Sequence, residues 1–276
     1  MGDFFNLILV HPIINVLVAI YSVLSFVHIP YALGFAIIGL TVVIRFIMYP
    51  LTTSQLKASA KMQKVTPLLS KIKEKYKGDS KRIQEETMKL YKEQGINPAA
   101  GCLPVIIQMP LIWALYSVLR QIVGDNPLVM ADINKIVYFD FLKIQNIWDP
   151  SFFGLSLGAM PSKLISTMGP LILLVPILTG VFQFILSKMM IPAKTGVAVL
   201  EKDIEKKGNI DKKDSGDFAS AFQTQAMFIF PVMIGFFAFS FPIGLTLYWN
   251  TFTVFGIIQQ YQVAGLGGLS AWIKKK

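Results

Sequence analysis

Arg45 stands in "LTVVIRFIMYP", an apolar helical run with no acidic residue inside it. A guanidinium stays charged at any working pH, so its chemistry is recognition rather than proton transfer. In a low dielectric it attracts carboxylates and polar backbone. Ile38, Thr41, Arg45, Met48 and Thr52 recur at helical spacing, which puts the Thr41 hydroxyl on the arginine's face. Other apolar runs carry similar lines. Thr179, Gln183 and Ser187 form one; Thr246, Trp249 with Asn250, Thr253 and Gln260 form another; Gln108 adds an amide. Each Thr or Gln alone reads as a helix–helix contact, whereas aligned stripes together with a charge read as a hydrated groove. Snorkelling explains Arg45 poorly. Leu51 lies about 9 Å further along the helix, and helical side chains lean the other way, toward the N-terminus. An unmatched central arginine costs about 2.5–3.5 kcal/mol, so water or a partner is expected to meet it. The candidate groove residues are Thr41, Arg45, Gln108, Gln183, Trp249 and Asn250.

Bond-making chemistry has no such support. The apolar runs contain no Asp or Glu, which ion-coupled transport ordinarily uses. There is no GxxxxGK[ST] loop, no HExxH helix and no Ser/His/Asp set. His11 and His28 are the two histidines and Cys102 the single cysteine, which excludes a disulfide framework and a cysteine-based zinc cluster. The expectation is a protein that is not an enzyme and uses no catalytic residue, metal or cofactor.

The elements that must position these residues are membrane helices. Of 276 residues, 54% are hydrophobic and 15% charged, against roughly 25% charged in soluble domains. The net charge of +10 does not mark a nucleic-acid binder, because 21 of the 26 Lys and Arg fall in 52–99, 188–221 and 274–276. Those stretches lie in or beside gaps between apolar runs, and the positive-inside rule assigns them to the cytoplasm. Spans are expected at 31–52, 101–122, 169–188, 222–240 and 242–262, the last two forming a tight hairpin broken at Phe241-Pro242. Residues 53–98 carry two apolar stripes separated at Gly78-Asp79, which predicts a cytoplasmic helical hairpin with a bend at Pro67. Residues 123–168 form an extracytoplasmic loop, 189–221 a flexible cytoplasmic loop, and 263–276 a short basic cytoplasmic tail. The stretch 4–27 is apolar but interrupted by Asn6, His11, Pro12 and Asn15, so residues 1–30 are read as an amphipathic helix in the outer interface. Were it to span, the N-terminus would move to the cytoplasm. "MGDFF" has no basic region of a cleavable signal and no myristoylation pattern. The fold class expected is an all-α integral membrane protein: a five-transmembrane-helix core, a cytoplasmic helical hairpin and an N-terminal amphipathic interfacial helix. It would be multi-pass, with its N-terminus outside and C-terminus inside.

The densest resemblance runs from "RFIMYPLTTSQLKAS" through the basic hairpin to "GINPAAGCLPVIIQMPLIWALYSVLR", with "FPIGLTLYWNTFTVFGIIQQY" near the end. These residues resemble the YidC/Oxa/Alb membrane protein insertases, in the short bacterial form without a large outer domain. The resemblance implies insertion of hydrophobic segments into the bacterial plasma membrane, alone or beside the Sec translocon, without nucleotide hydrolysis. It matches Arg45 to the family's groove arginine, and Thr41, Gln183 and Trp249 to its polar groove; Gln108 and Asn250 come from the stripes. Cys102 falls in the family's "GCLP" stretch as a small packing residue. The implied partners are nascent membrane proteins with short acidic tails, the ribosome, the Sec translocon, the signal recognition particle machinery and membrane lipid, with no specific nucleic-acid sequence. The tail "IKKK" offers little for a ribosome to hold. The alternative is a small-solute transporter or channel, which predicts internal repeat symmetry and a polar path through the membrane; neither is visible in the sequence.

Overall fold

A computed structural model of the chain describes residues 2–95, 103–123, 130–144, 148–191 and 215–273. The "INPAAGC" stretch with Cys102, most of the loop 189–221 and the tail lysines fall outside those residues. Helices dominate: α1 (Gly2–Phe5), α2 (His11–Phe26), α3 (Ala32–Lys75), α4 (Ser80–Glu93), α5 (Leu103–Val123) and α6 (Met130–Ile136) come first. A two-residue-stranded hairpin, β1 (Ser151–Phe152) and β2 (Leu155–Ser156), precedes α7 (Pro161–Met168), α8 (Leu174–Met189), α9 (Ser215–Ser240), α10 (Ile243–Ala264) and α11 (Ser270–Ile273). Among the described residues, the helical stretches 6–26, 32–62 and 161–189 are long and apolar enough to cross a membrane, and 228–240 is a shorter apolar helix. The first of these is the segment expected to lie in the interface; by length and composition it also suffices for a span. Two expected breaks appear. Residues 241–242 separate α9 from α10, because Pro242 has no N–H to continue the ladder. Asp79 closes the hairpin turn by accepting the Arg82 N–H at 3.0 Å, an N-cap for α4. The expected bend at Pro67 does not interrupt α3, which stays helical through both Pro50 and Pro67.

The chain divides into two compact units. The first holds residues 1–49, 105–182 and 233–255. Its core repeats the helical period: Ile14, Leu17 and Val18 on α2; Leu33, Ala36, Ile37 and Leu40 on α3; Leu115, Val118 and Leu119 on α5; Leu245 and Tyr248 on α10. The described part of 123–168, expected as an extracytoplasmic loop, is tied down by backbone and amide bonds. The N–H groups of Ile243 and Gly244 donate to the carbonyls of Ala159 (2.9 Å) and Leu157 (2.8 Å), satisfying orphan donors at the start of α10. Asn15 fastens α2 to the same segment, donating to Ile136 O at 3.1 Å and accepting from Tyr138 N at 2.7 Å. Asn15→Leu leaves both backbone groups without that partner. It is expected to cost about 1–3 kcal/mol, read as a lower melting temperature in detergent.

The second unit holds 50–104, 183–232 and 256–276. In the hairpin, Val65 on α3 and Ile83 on α4 are buried, as their stripes require, while Leu68 on the same stripe remains 42% exposed. Tyr76 at the turn is flanked by the cations of Lys75 and Arg82, 5.1 and 5.2 Å from its ring. Near the end of α10, Gln259 donates to Thr52 Oγ1 (2.7 Å) and Thr53 Oγ1 (3.1 Å), and Gln260 donates to the carbonyl of Met189 (3.2 Å). Lys188 is buried there with its ammonium 5.2 Å from the Trp272 ring.

Candidate functional site

Arg45 follows Ile37 and Leu40 on α3, and the core packing of those two residues fixes the direction its face takes. The side chain ends on α10. One terminal nitrogen donates to the carbonyl oxygen of Phe252, and the guanidinium carbon lies 3.3 Å from the centre of the Phe252 ring. Phe255 stands 5.7 Å away, itself edge-on to Phe46. Arg45 is only 5% exposed. In this conformation the protein's own ring and carbonyl meet the charge.

Magnitudes show what those contacts leave undone. Desolvating a guanidinium costs several kcal/mol after relaxation. A desolvated cation–π contact returns about 2 kcal/mol, and one hydrogen bond to a charged group about 1.5–3 kcal/mol. No carboxylate makes up the difference. Among the described residues the ion pairs are Lys135–Asp132 (2.8 Å) and Lys143–Asp140 (2.6 Å), both within 130–144. The Lys143 ammonium holds the Asp140 carboxyl below its ordinary range. The Arg45 Nε is buried with no hydrogen-bond partner among the described residues. The arginine is thus a cation with an unused donor.

The hydroxyls beside it are differently committed. Thr41 is fully buried and donates to the carbonyl of Ile37 one turn earlier, at 2.7 Å. Thr179, Thr246 and Thr253 likewise donate to the carbonyls of Val175, Pro242 and Trp249. Their protons turn onto their own helices, so these residues present oxygen lone pairs, not donors, to whatever enters. Gln108 on α5 donates to the Tyr248 hydroxyl of α10 at 2.9 Å, an interhelical bond with one partner fully buried. The Asn250 Oδ1 is buried without a donor. Trp249 lines a small, mainly apolar recess with Thr179, Phe237, Phe241, Leu245 and Thr246.

The structure thus joins Arg45 to α10 and Gln108 to Tyr248 within the first unit. Gln183 belongs to the second unit, where it is buried on α8. Two participants escaped the sequence reading, Phe252 and Tyr248. Both sit on α10 among the polar positions it singled out, and a search for polar stripes passes over aromatics. The usable signal was spacing, since Phe252 follows Trp249 by three residues and Tyr248 by four.

Comparison with known proteins fits this architecture. The family described as "60Kd inner membrane protein" matches residues 15–266. The chain is 33% identical over 259 residues to the inner membrane protein ALBINO3 of Arabidopsis thaliana chloroplasts, covering 89% of this chain and 49% of that protein. It is 31% identical to the membrane protein insertase YidC of Streptomyces avermitilis, over 84% of this chain and 51% of the relative. For the YidC of Fusobacterium nucleatum the identity is 30%, over 85% of this chain and 87% of the relative. Among solved structures, a crystal structure of an active YidC insertase with its first transmembrane domain resolved superposes with a TM-score of 0.53 at 25% identity, covering 88% of this chain and 45% of that one. The chain spans about half the length of the first of these relatives.

Proposed function

Because the chain belongs to the YidC/Oxa/Alb family, we propose that it is a membrane protein insertase that moves short polar tails of nascent membrane proteins across the bilayer and releases their apolar helices into lipid. The observation that carries this reading is Arg45, a buried cation with no carboxylate partner among the described residues and an unused Nε donor. An acidic tail supplies the missing anion. Thr41 and Asn250 offer acceptor oxygens to the tail's backbone N–H groups, and Gln108 and Trp249 complete the polar groove. The attraction is transient; burial of the substrate's apolar helix in lipid drives it onward.

The accompanying topology has five spans, with α5 and α10 added to the apolar helices. The hairpin 53–98 faces the cytoplasm, residues 1–30 lie in the outer interface, and the C-terminus is inside. The basic hairpin receives the nascent segment or docks the ribosome or the targeting machinery, and the protein works alone or beside the Sec translocon. The test is reconstitution into liposomes with a small single-span substrate carrying an acidic N-terminal tail. Insertion well above that of protein-free liposomes is expected, measured by protease protection of the tail. Equal protection with and without the protein overturns the reading.

A further inference from the structure

Phe252 meets Arg45 twice, with its ring face and with its backbone carbonyl. A ring at 3.3 Å from the guanidinium carbon covers one face of the cation. The carbonyl takes a terminal nitrogen, while the Nε on the guanidinium's side edge finds no acceptor. The geometry therefore satisfies the arginine as a neutral peptide would, with one oxygen, and leaves the Nε of the two-donor edge that a carboxylate fits without an acceptor among the described residues.

We propose that Phe252 is the specificity-determining cover of this site: it stands in for the anion, and an incoming segment displaces it only by bringing a carboxylate. This rests on the insertase reading and adds what selects the substrate. A neutral polar tail offers single carbonyl oxygens, the same acceptor that Arg45 already has, and gains nothing by removing the ring. An aspartate or glutamate offers two acceptors and a charge, filling the Nε that Phe252 leaves bare. Tyr248, 5.7 Å from the Phe252 ring and held by Gln108, forms the fixed wall beside which the ring is seated. Phe255 keeps a second, more distant π-face beside the cation.

The experiment uses the full chain in proteoliposomes and two substrates that differ only in the tail, Asp and Glu in one and Asn and Gln in the other. The native protein is expected to favour the acidic tail. Phe252→Leu removes the ring while keeping the carbonyl, and is expected to raise neutral-tail insertion by roughly three- to thirtyfold, narrowing the preference. Phe252→Trp keeps a π-face and retains the preference. An unchanged acidic-to-neutral ratio in Phe252→Leu, with both substrates inserted, overturns the proposal but leaves the insertase reading standing. Insertion of neither substrate by the native protein overturns the insertase reading instead. Should Phe252→Leu fail to fold, 4-fluorophenylalanine at position 252 decides the matter by fluorine NMR. Its resonance is expected to shift on adding the acidic tail as a free peptide and not its amide counterpart; no difference between the two peptides overturns the proposal.

Discussion

Arg45→Ala is expected to reduce insertion of an acidic-tailed single-span substrate by at least about tenfold, a loss well within what one charge–charge contact at short range supplies. Its melting temperature in detergent is expected to be unchanged or higher. The two outcomes move in different directions because the charge is buried without a carboxylate, so removing it relieves a desolvation cost. A residue retained for structure alone would do the opposite, lowering stability and activity together. Arg45→Lys keeps the charge as a point without the planar fork, and is expected to fall between the native protein and the alanine variant. Full insertion by Arg45→Ala, at native levels of reconstituted protein, would show that the charge has no part in handling the tail. Protease protection of the substrate tail and a thermal melt of the same preparation supply both readouts.

Gly158→Val is expected to cause the largest loss of stability. A Cβ at position 158 would fall onto the backbone carbonyl of Val123 at the end of α5. Overpacking among side chains ordinarily costs about 1–3 kcal/mol, because rotamers can give way. Here the obstacle is main chain, so α5 or the segment around Gly158 must move as a whole, and the cost is expected at or above the top of that range. Gly154 is the control. It sits in the β1–β2 turn at φ +81 with nothing within 4 Å of an added Cβ. Gly154→Ala meets backbone strain without a collision, and a loss of about 1 kcal/mol is expected. Melting curves of the two variants in one detergent measure the difference. Equal losses would mean that residues 123 and 158 are not in close backbone contact.

Local chemistry was legible in the sequence. The break at Phe241-Pro242 and the turn at Gly78-Asp79 depend on a missing N–H and a short capping side chain, and both are written in the residues themselves. The burial of Thr41, Thr179, Gln183, Thr246 and Gln260 followed from the cost of presenting such groups to lipid. Arg45 was conspicuous because a charge in an apolar run needs an explanation. What the residues did not disclose was the explanation found, since Phe252 lies 207 positions away and ranks as an ordinary apolar residue until it is placed under a cation. α3 stays helical through Pro67, where a bend was expected, because a proline inside a helix forfeits a single hydrogen bond. The segment 123–168 read as a loop because the order of its described part comes from pairings across long sequence separations, such as Asn15 with Tyr138 and Gly244 with Leu157. Such pairings have no local periodicity to betray them.

The bonds from Ile243 and Gly244 to Ala159 and Leu157 carry a practical consequence for anyone modifying this protein. They join main chain to main chain, so no alanine scan will register them, however complete. Cysteine mutagenesis at 157 and 159 could leave both intact and suggest that those positions are expendable. Lengthening the stretch by a single residue would shift both carbonyls and strip the start of α10 of its acceptors. Epitope tags and reporter insertions for topology mapping therefore belong at the open turn around Gly154, not three residues further on.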